Sequence, residues 1–430
     1  MKKCIHIAIA CSLVTGSLLS VSCNKNVFND EDYEKILDYE SPIDSIDATH
    51  NWKLFTTHNY SVTANAGYNA KKVIVYSAYP LGSSDAEIMA QKEIGDGETK
   101  TISVVTPLDA SVLYAALEDA DGKYTITRFA ASASSIDFSS PMSVRQTMTT
   151  QPRLQQHTYC FEEEMPVPGD YDYNDIVLRV SQETVDSRRI QLHVELCAVG
   201  GKKQLAAGIR LVGYQYEQLD SVTTEDKQLF TLGGSNYNQE APTGVFAIWG
   251  SQDLLQRGNH GEAAIFLFDD AHWAMGDNIT IENSSFTRKY YNVAKNSSSS
   301  YELLPTRVIT YNLYFKEGVS TENFSLASLD VFMIESYNGS NWEVHSYEHR
   351  NAQVKFEYTL ANTKAQFMPW GLVVPYSGFR YPLEGQNIGF RKQGTSFGCY
   401  SDAGHSFGEW AQHSDRFHDW YFYPTQNQVY

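Results

Sequence analysis

The residues with the most evident chemistry lie in one short acidic stretch near the middle of the chain. Three consecutive glutamates at 162–164 are followed by Asp170, Asp172, Asn174 and Asp175, with no lysine or arginine between them. Carboxylates at such close range repel one another unless a cation lies among them. Carboxylate and amide oxygens are also the ligands that Ca²⁺ prefers in proteins. The stretch therefore predicts a calcium site.

The spacing within this stretch indicates which side chains would bind the ion. Asp170, Asp172 and Asn174 alternate as in the first half of an EF-hand loop, but Asp175 and Ser181 occupy the positions of its glycine and its bidentate glutamate. We therefore predict a loop that leads directly into a strand, not a helix-loop-helix. The predicted side-chain ligands are Glu162, Glu163, Asp170, Asp172, Asn174 and Asp175. The alternative is a solvated acidic turn that caps its own backbone.

The elements that must position this loop are strands. Alternating apolar and polar runs separated by Gly, Asp and Pro turns recur along most of the chain, and few windows show a helical period. We predict an all-β fold: a small N-terminal Ig-like β-sandwich over 49–138, and a larger jelly-roll-like antiparallel β-sandwich over 158–430. A Ser/Thr/Gln/Pro-rich linker is expected over 139–157, directly before the acidic loop.

The N-terminus predicts export. Residues 1–22 combine a basic start with a short apolar run and small residues, which is typical of a signal peptide and too short for a membrane-spanning helix. Cys23 follows at a lipobox-like position and is the predicted lipidation site, with residues 23–48 as a tether. The acidic run at 29–32 resembles a surface-export tag, which places the protein at the outer membrane or cell surface. An ordinary signal peptide with an incidental cysteine is the alternative.

Composition limits the partners. The formal net charge is −18, so nucleic acid and anionic lipid are not expected to bind, and the membrane is expected to be contacted only through the N-terminal lipid. Once the signal and Cys23 are set aside, the odd number of three cysteines remains: Cys160, Cys197 and Cys399. One disulfide, most simply between Cys160 and Cys197, would leave one buried thiol.

Enzymatic interpretations fit the sequence poorly. Two segments, 394–398 and 404–408, match the G-x-S-x-G nucleophile pattern, but neither is placed on the βα scaffold that this motif requires. A group of Cys and His side chains fits no zinc spacing: Cys399, His405, His413 and His418. The cluster at 269–273 is interpreted as a turn. We therefore expect a non-enzymatic protein.

Aromatic residues near the C-terminus favour a second hypothesis, a ligand platform. Exposed rings stack on the apolar faces of sugars, whereas buried rings only pack in the core. The candidate platform residues are Trp370, Tyr381, Trp410 and Trp420. Side-by-side exposure of these rings would favour glycan binding, and burial would favour packing.

Two sets of motifs resemble one known family. The acidic stretch at 161–177, FEE followed by PGDYDYNDIV, resembles the signature of LruC domain proteins, the DUF4842 family of surface lipoproteins, with Glu163 in place of the usual Asp. The order of PWGLVVP at 369–375, YPLEGQNI at 381–388 and FGEW at 407–410 is similar to that of the same family. The resemblance covers about 160 to 423. It implies a secreted, lipid-anchored β domain and brings no established activity.

The combined prediction is a lipid-anchored cell-surface protein whose larger sandwich is stabilised by Ca²⁺. We expect a role in adhesion or surface assembly, with another surface protein or a surface glycan as partner. A glycan-binding protein of a carbohydrate-uptake system is the main alternative, and a hydrolase is the weaker one.

Overall fold

The protein is all-β, as the sequence predicts. The computed structural model describes residues 45–163, 165, 169–226, 229–230, 253–276, 289–296, 298, 300–337, 340–356, 368–392 and 395–430. The α-helices in this part of the chain are short, α1 (Ala271–Met275) and α2 (Phe407–Gln412). Neither they nor any other described helix has the length and hydrophobicity needed to cross a membrane. The signal peptide, Cys23 and most of the predicted tether lie outside the described residues.

The N-terminal module is a sandwich of two sheets, ordered β4-β1-β7 and β8-β6-β5-β2-β3-β9. Its strands are β1 (Phe55–Thr63), β2 (Ala70–Tyr76), β3 (Glu87–Glu93), β4 (Thr99–Pro107), β5 (Val112–Asp119), β6 (Tyr124–Ala130), β7 (Ser135–Ile136), β8 (Ser143–Gln146) and β9 (Arg153–Leu154). Alternation along the strands forms the core, since β4 buries Ile102 and Val104 while Thr101 is exposed. The predicted linker thus contributes β8 and β9, which occupy the two edges of the larger sheet.

The C-terminal module is a larger antiparallel sandwich, with sheets ordered β14-β19-β12-β11-β10-β22 and β15-β16-β13-β20-β21. The strands are β10 (His157–Phe161), β11 (Ile176–Asp186), β12 (Arg189–Ala198), β13 (Ala206–Gln215), β14 (Leu219–Thr224), β15 (Leu255–Arg257), β16 (Glu262–Phe268), β17 (Tyr290–Tyr291), β18 (Tyr301–Glu302), β19 (Arg307–Phe315), β20 (Leu329–Tyr337), β21 (Ser340–His345), β22 (Gly371–Val374), β23 (Phe390–Lys392) and β24 (Thr395–Phe397). Buried faces of both sheets meet in one continuous core. Two small additional pairs, β17-β18 and β23-β24, lie outside these sheets.

The segment just before β1 attaches the two modules to each other. The Asp47 amide donates to the Ala411 carbonyl at 3.0 Å, and the His50 ring contacts the Trp410 carbonyl at 2.9 Å. Trp52 is buried, with its ring centroid 5.2 Å from that of Trp410. The predicted tether therefore ends in a segment that packs against α2 of the distant C-terminal module.

The three cysteines among the described residues, Cys160, Cys197 and Cys399, are free and buried. Cys160 lies on β10 and Cys197 on β12, and β11 runs between those strands in the same sheet. The two cysteines therefore lie two interstrand spacings apart, at about 4.8 Å each. This separation exceeds the roughly 7 Å between Cα atoms that a disulfide can span. The suggested Cys160–Cys197 disulfide is therefore wrong.

Candidate metal centre

The acidic stretch forms the loop between two neighbouring strands. β10 and β11 are antiparallel, and their last pair joins Phe161 to Ile176. The loop that joins them, 162–175, must therefore return to the point where it began, which brings its first and last carboxylates together. The loop leads directly into a strand, as the sequence predicts.

Three carboxylates converge within this loop. One oxygen from each of Glu162, Asp170 and Asp172 lies within 4.8 Å of the others, and we call these residues the carboxylate trio. Glu162 and Asp172 are buried, whereas Asp170 is exposed. The trio therefore has an anionic interior and one solvent-facing side, where an ion could enter.

Two backbone amides hold Glu162 in place. Its Oε1 accepts a hydrogen bond from the Tyr171 amide at 3.0 Å, and its Oε2 accepts one from the Tyr173 amide at 3.1 Å. Both tyrosines have left-handed backbone conformations, with φ of 57° and 53°, which are unfavourable for a non-glycine residue. These two strained residues turn the loop backbone so that the amides of Tyr171 and Tyr173 both point at the Glu162 carboxylate.

Asp172 ties the loop to a segment more than two hundred residues away. Its Oδ1 accepts from the Asn174 amide at 3.2 Å, and its Oδ2 accepts from the Gly385 amide at 2.7 Å. The Ile388 amide also donates to the Tyr171 carbonyl at 2.8 Å. Since each carboxylate oxygen has two lone pairs, these hydrogen bonds leave lone pairs that can bind a cation.

The electrostatics of the trio are unfavourable in the absence of a cation. Burial, followed by the charge of Asp170, raises the pKa of Glu162 well above its usual range. Burial, followed by the charge of Glu162, raises the pKa of Asp172 in the same direction. Among the residues that the structure describes, all the hydrogen bonds that Glu162 and Asp172 accept come from backbone amides. A bound cation would reverse these shifts.

Sequence reasoning missed a fourth carboxylate, Glu384. Burial, followed by the charge of Asp170, raises the pKa of Glu384 to about 7, so Glu384 interacts electrostatically with the trio. Tyr290 partly offsets this rise. Glu384 lies in the YPLEGQNI segment at 381–388, so its only signal in the sequence is the family resemblance of that segment. The loop spacing contains no information about a residue so distant in sequence.

Asn174 is buried behind the trio, and its Oδ1 has no hydrogen-bond partner among the described residues. A Cβ on Gly200 would lie 1.7 Å from this oxygen, and a Cβ on Gly169 would lie 2.1 Å from Oε1 of Glu162. Only glycine can therefore occupy these two positions. An unpaired buried carbonyl next to converging carboxylates suits a hard cation that prefers oxygen ligands.

Besides Asn174, two of the predicted ligands, Glu163 and Asp175, lie outside the trio. Asp175 is buried, and its Oδ2 accepts from the Glu163 amide at 2.6 Å. The Glu163 carboxylate lies 3.9 Å from Lys203 Nζ. The structure thus assembles Glu162, Asp170 and Asp172 and gives Glu163 and Asp175 contacts of their own.

The proposed aromatic platform is internal. Trp370, Tyr381, Trp410 and Trp420 are all buried. Trp410 and Trp420 stack on each other with centroids 5.7 Å apart. By the criterion stated above, these four rings favour packing, and we do not carry them forward as a ligand surface.

The two G-x-S-x-G segments have ordinary local roles. Ser396 lies within the short strand β24, and Ser406 caps α2 by accepting from the Glu409 amide at 3.1 Å. Asp270 likewise caps α1. Among His, Cys, Asp and Glu side chains of the described residues, the trio is the set that meets the geometric requirement for a metal ligand group. The imagined Cys/His zinc set is therefore not assembled there.

Comparison with known proteins places the chain in a family. No curated protein matches it. The crystal structure of a presumed lipoprotein from Bacteroides ovatus aligns with 84% of this chain and 99% of its own, at 16% identity and a TM-score of 0.49. The family model described as a domain of unknown function, DUF4842, matches residues 187–421, which is more than half of the chain. The protein therefore belongs to the DUF4842 family.

Proposed function

We propose that this protein is a lipid-anchored cell-surface protein whose larger sandwich binds Ca²⁺ at the carboxylate trio. The observation that carries the proposal is the convergence of Glu162, Asp170 and Asp172 within 4.8 Å, two of them buried and hydrogen-bonded, among the described residues, by backbone amides. The donors are oxygens, without His or Cys, which favours Ca²⁺ over zinc. Glu384, backbone carbonyls and water would complete the six to eight positions that Ca²⁺ takes.

The proposed role of the ion is to fix the C-terminal segment onto the sandwich. Asp172 already bonds to Gly385, and the Asn174 side-chain amide donates to the Pro382 carbonyl at 3.2 Å. A cation that neutralises the trio would strengthen this attachment, because the repulsion that now opposes it would disappear. Extracellular Ca²⁺ near millimolar concentration occupies even a modest site.

Calcium titration tests the proposal. Isothermal calorimetry and thermal unfolding of the mature chain should show binding and a higher melting temperature in Ca²⁺ than in EGTA, because a ligand specific for the folded state stabilises it by about 2.7 kcal/mol at a hundred times Kd. Asp172→Ala should abolish this rise. Asp415→Asn, at a largely exposed carboxylate, is the matched control and should keep it. An unfolding curve that Ca²⁺ does not move would reject the site.

Lipid attachment at Cys23 is a separate part of the proposal and has its own test. The signal-like residues 1–22 and the small residues before Cys23 support it, as does the resemblance of the acidic loop to LruC domain proteins. Cells that express the chain should incorporate an alkyne-tagged fatty acid into it and retain it in the outer-membrane fraction. Cys23→Ser should release it. Labelling that persists in this variant would contradict the assignment.

A binding role, in adhesion or surface assembly, is proposed in preference to catalysis. The serines of both nucleophile-like segments lie in a strand and a helix cap, which supports a non-catalytic protein. A stable two-module body that is attached at one end and carries excess negative charge suits display of a binding surface.

A further inference from the structure

We propose that an exposed aromatic cluster at the C-terminus, formed by Tyr376, Phe422, Tyr423 and His405, binds a neutral sugar. The inference deepens the binding role proposed above and uses no residue of the metal centre. Phe422 and Tyr423 expose 46% and 40% of their surface, although the two residues before them, Trp420 and Tyr421, are buried. One turn thus anchors two aromatic residues and presents the next two to solvent.

Contacts beneath the turn fix these exposed rings. The Tyr423 amide donates to the Trp420 carbonyl at 3.1 Å, which closes the turn. The Tyr421 hydroxyl donates to Asp109 of the small sandwich at 2.8 Å. Because the turn is attached to both modules, its rings would lose little conformational entropy when a ligand binds.

Each exposed ring has a partner beside it. The Phe422 centroid lies 5.0 Å from that of Tyr376, and Tyr423 stacks on His405 at 4.0 Å with an interplanar angle of 22°. Gly378 leaves room for the Tyr376 ring, because a Cβ there would lie 2.6 Å from its edge. The cluster therefore offers several apolar faces in a small area, the arrangement on which the C–H face of a sugar ring packs.

A polar group lies next to the stacked pair. His405 Nδ1 contacts Asp419 Oδ2 at 2.8 Å, so Nδ1 donates to this carboxylate and Nε2 is the ring nitrogen that a ligand can reach. Both side chains are partly exposed. A sugar hydroxyl could hydrogen-bond to Nε2 while its ring packs on Tyr423, which combines the apolar and polar contacts that a ligand site needs.

The charges around the aromatic cluster indicate which class of ligand would bind there. The carboxylates at the cluster already have partners, since Asp419 pairs with His405 and Asp109 accepts from Tyr421. Because Asp419 and Asp109 already have partners, they do not favour a charged ligand. The net charge of −18 disfavours an anionic ligand. A neutral sugar satisfies both conditions, whereas a uronic-acid polymer does not.

The test is binding of defined oligosaccharides to the mature chain in Ca²⁺ by calorimetry. The probes are cellohexaose, laminarihexaose, xylohexaose and mannohexaose, with a galacturonate oligomer as the anionic comparator. At least one neutral probe should bind, and the comparator should not. Phe422→Ala and Tyr423→Ala should each weaken binding by about tenfold, as expected for an aromatic residue that dominates a contact.

The controls distinguish sugar binding at this cluster from nonspecific hydrophobic adsorption and from effects on the metal centre. Met142→Ala and Val144→Ala remove two exposed apolar side chains of the small sandwich and should leave binding unchanged. All four variants should keep the calcium-induced rise in melting temperature, which shows that they fold and that the metal centre is intact. The inference is overturned if no neutral probe binds, if binding survives both ring substitutions, or if those substitutions instead abolish self-association or adhesion to phosphatidylcholine vesicles.

Discussion

The larger sandwich contains two buried groups of carboxylates that are compensated in opposite ways. In the histidine cluster, formed by Arg210, Asp330, Glu343 and His345, the carboxylates have cationic partners: His345 Nδ1 lies 2.9 Å from Asp330, and Arg210 Nε lies 2.8 Å from it. In the carboxylate trio, the described partners of Glu162 and Asp172 are backbone amides. The first group carries its own positive charge, whereas the two buried carboxylates of the trio are held by uncharged backbone donors.

The pKa values follow this difference. Burial alone would raise the pKa of Asp330, but His345 and Arg210 outweigh it and the pKa is lowered. Burial would lower the pKa of His345, but Asp330 and Glu343 raise it to about 9. In the trio, burial and mutual repulsion both raise the pKa of Glu162 and Asp172. This contrast is why we propose that the trio, and not the histidine cluster, binds a cation from outside the chain.

Breaking the histidine cluster should have the largest effect on stability, and Ca²⁺ should not relieve it. Glu343 is fully buried, lies 3.3 Å from His345 and accepts from the amides of Lys355 and Phe356. Glu343→Ala removes the buried acceptor of these amides and one of the two carboxylates beside His345, and we expect a loss of about 3–5 kcal/mol in urea unfolding, equal in Ca²⁺ and EGTA.

Glu348 provides a matched control at an exposed carboxylate. Glu348 forms an exposed ion pair with Lys53 at 2.8 Å. Glu348→Ala should therefore reduce stability by less than about 1 kcal/mol. If Ca²⁺ rescued Glu343→Ala, the two groups of carboxylates would not be independent, and the comparison would fail.

The pH dependence should reveal the internal cation of the histidine cluster. His345 has a pKa of about 9 in the folded protein and an ordinary value of 6.5, so its contribution is fully present below pH 6.5 and is lost as the pH rises through 9. The loss should approach about 3 kcal/mol between pH 6.5 and 9. Urea unfolding across this range, with His345→Gln as the reference that lacks the group, measures it. Parallel curves for the two proteins would contradict the assignment.

The sequence points to the three residues of the trio, among six predicted ligands, and does not reveal the histidine cluster. Asp170 and Asp172 lie two residues apart, and one loop brings Glu162 to them, so local spacing is sufficient to find the trio. Arg210 and Asp330 meet because they are opposite each other in the β13–β20 register. Glu343 and His345 come from a third strand. Only the strand pairing, which one sequence does not specify, brings these four together.

The dependence on contacts between distant parts of the chain also explains the other differences between the sequence predictions and the structure. Alternation predicts the strands and therefore the fold class, but it does not state which rings face the core, so it cannot distinguish the buried Trp410 and Trp420 from an exposed platform. Short pairings such as β8 and β9 have too few residues to alternate clearly. The docking of Asp47 on Ala411 depends on a contact between distant parts of the chain, and composition indicated only a tether.

Substitution of Glu384 tests whether the trio has a fourth carboxylate. Glu384→Gln keeps the shape of the side chain and removes one charge beside Asp170. We expect Ca²⁺ affinity to fall by about tenfold, equivalent to about 1.4 kcal/mol, with little change in calcium-free stability. Calorimetric titration measures the affinity, and Glu409→Gln within α2 is a control at a carboxylate of similar exposure. Equal affinities for the two variants would remove Glu384 from the site.

The smallest predicted effect concerns a cation that competes with the metal. Lys202 is exposed, and its charge lowers the pKa of Glu384 against the larger effect of burial. Its Nζ lies 4.7 Å from the ring centroid of Tyr290, which also lowers the pKa of Glu384. We expect this protein cation to oppose ion binding, whereas in the histidine cluster a protein cation is the stabilising partner.

Lys202→Met retains most of the apolar stem and removes the charge, so Ca²⁺ affinity should rise by about two- to threefold at low salt. The gain should shrink as ionic strength approaches 1 M, where the Debye length falls to about 3 Å. Calorimetric titrations at low and high salt, compared with Lys295→Met as an exposed lysine elsewhere, measure both effects. A loss of affinity instead would mean that Lys202 organises the carboxylates as His345 does, and the distinction between the two groups would no longer hold.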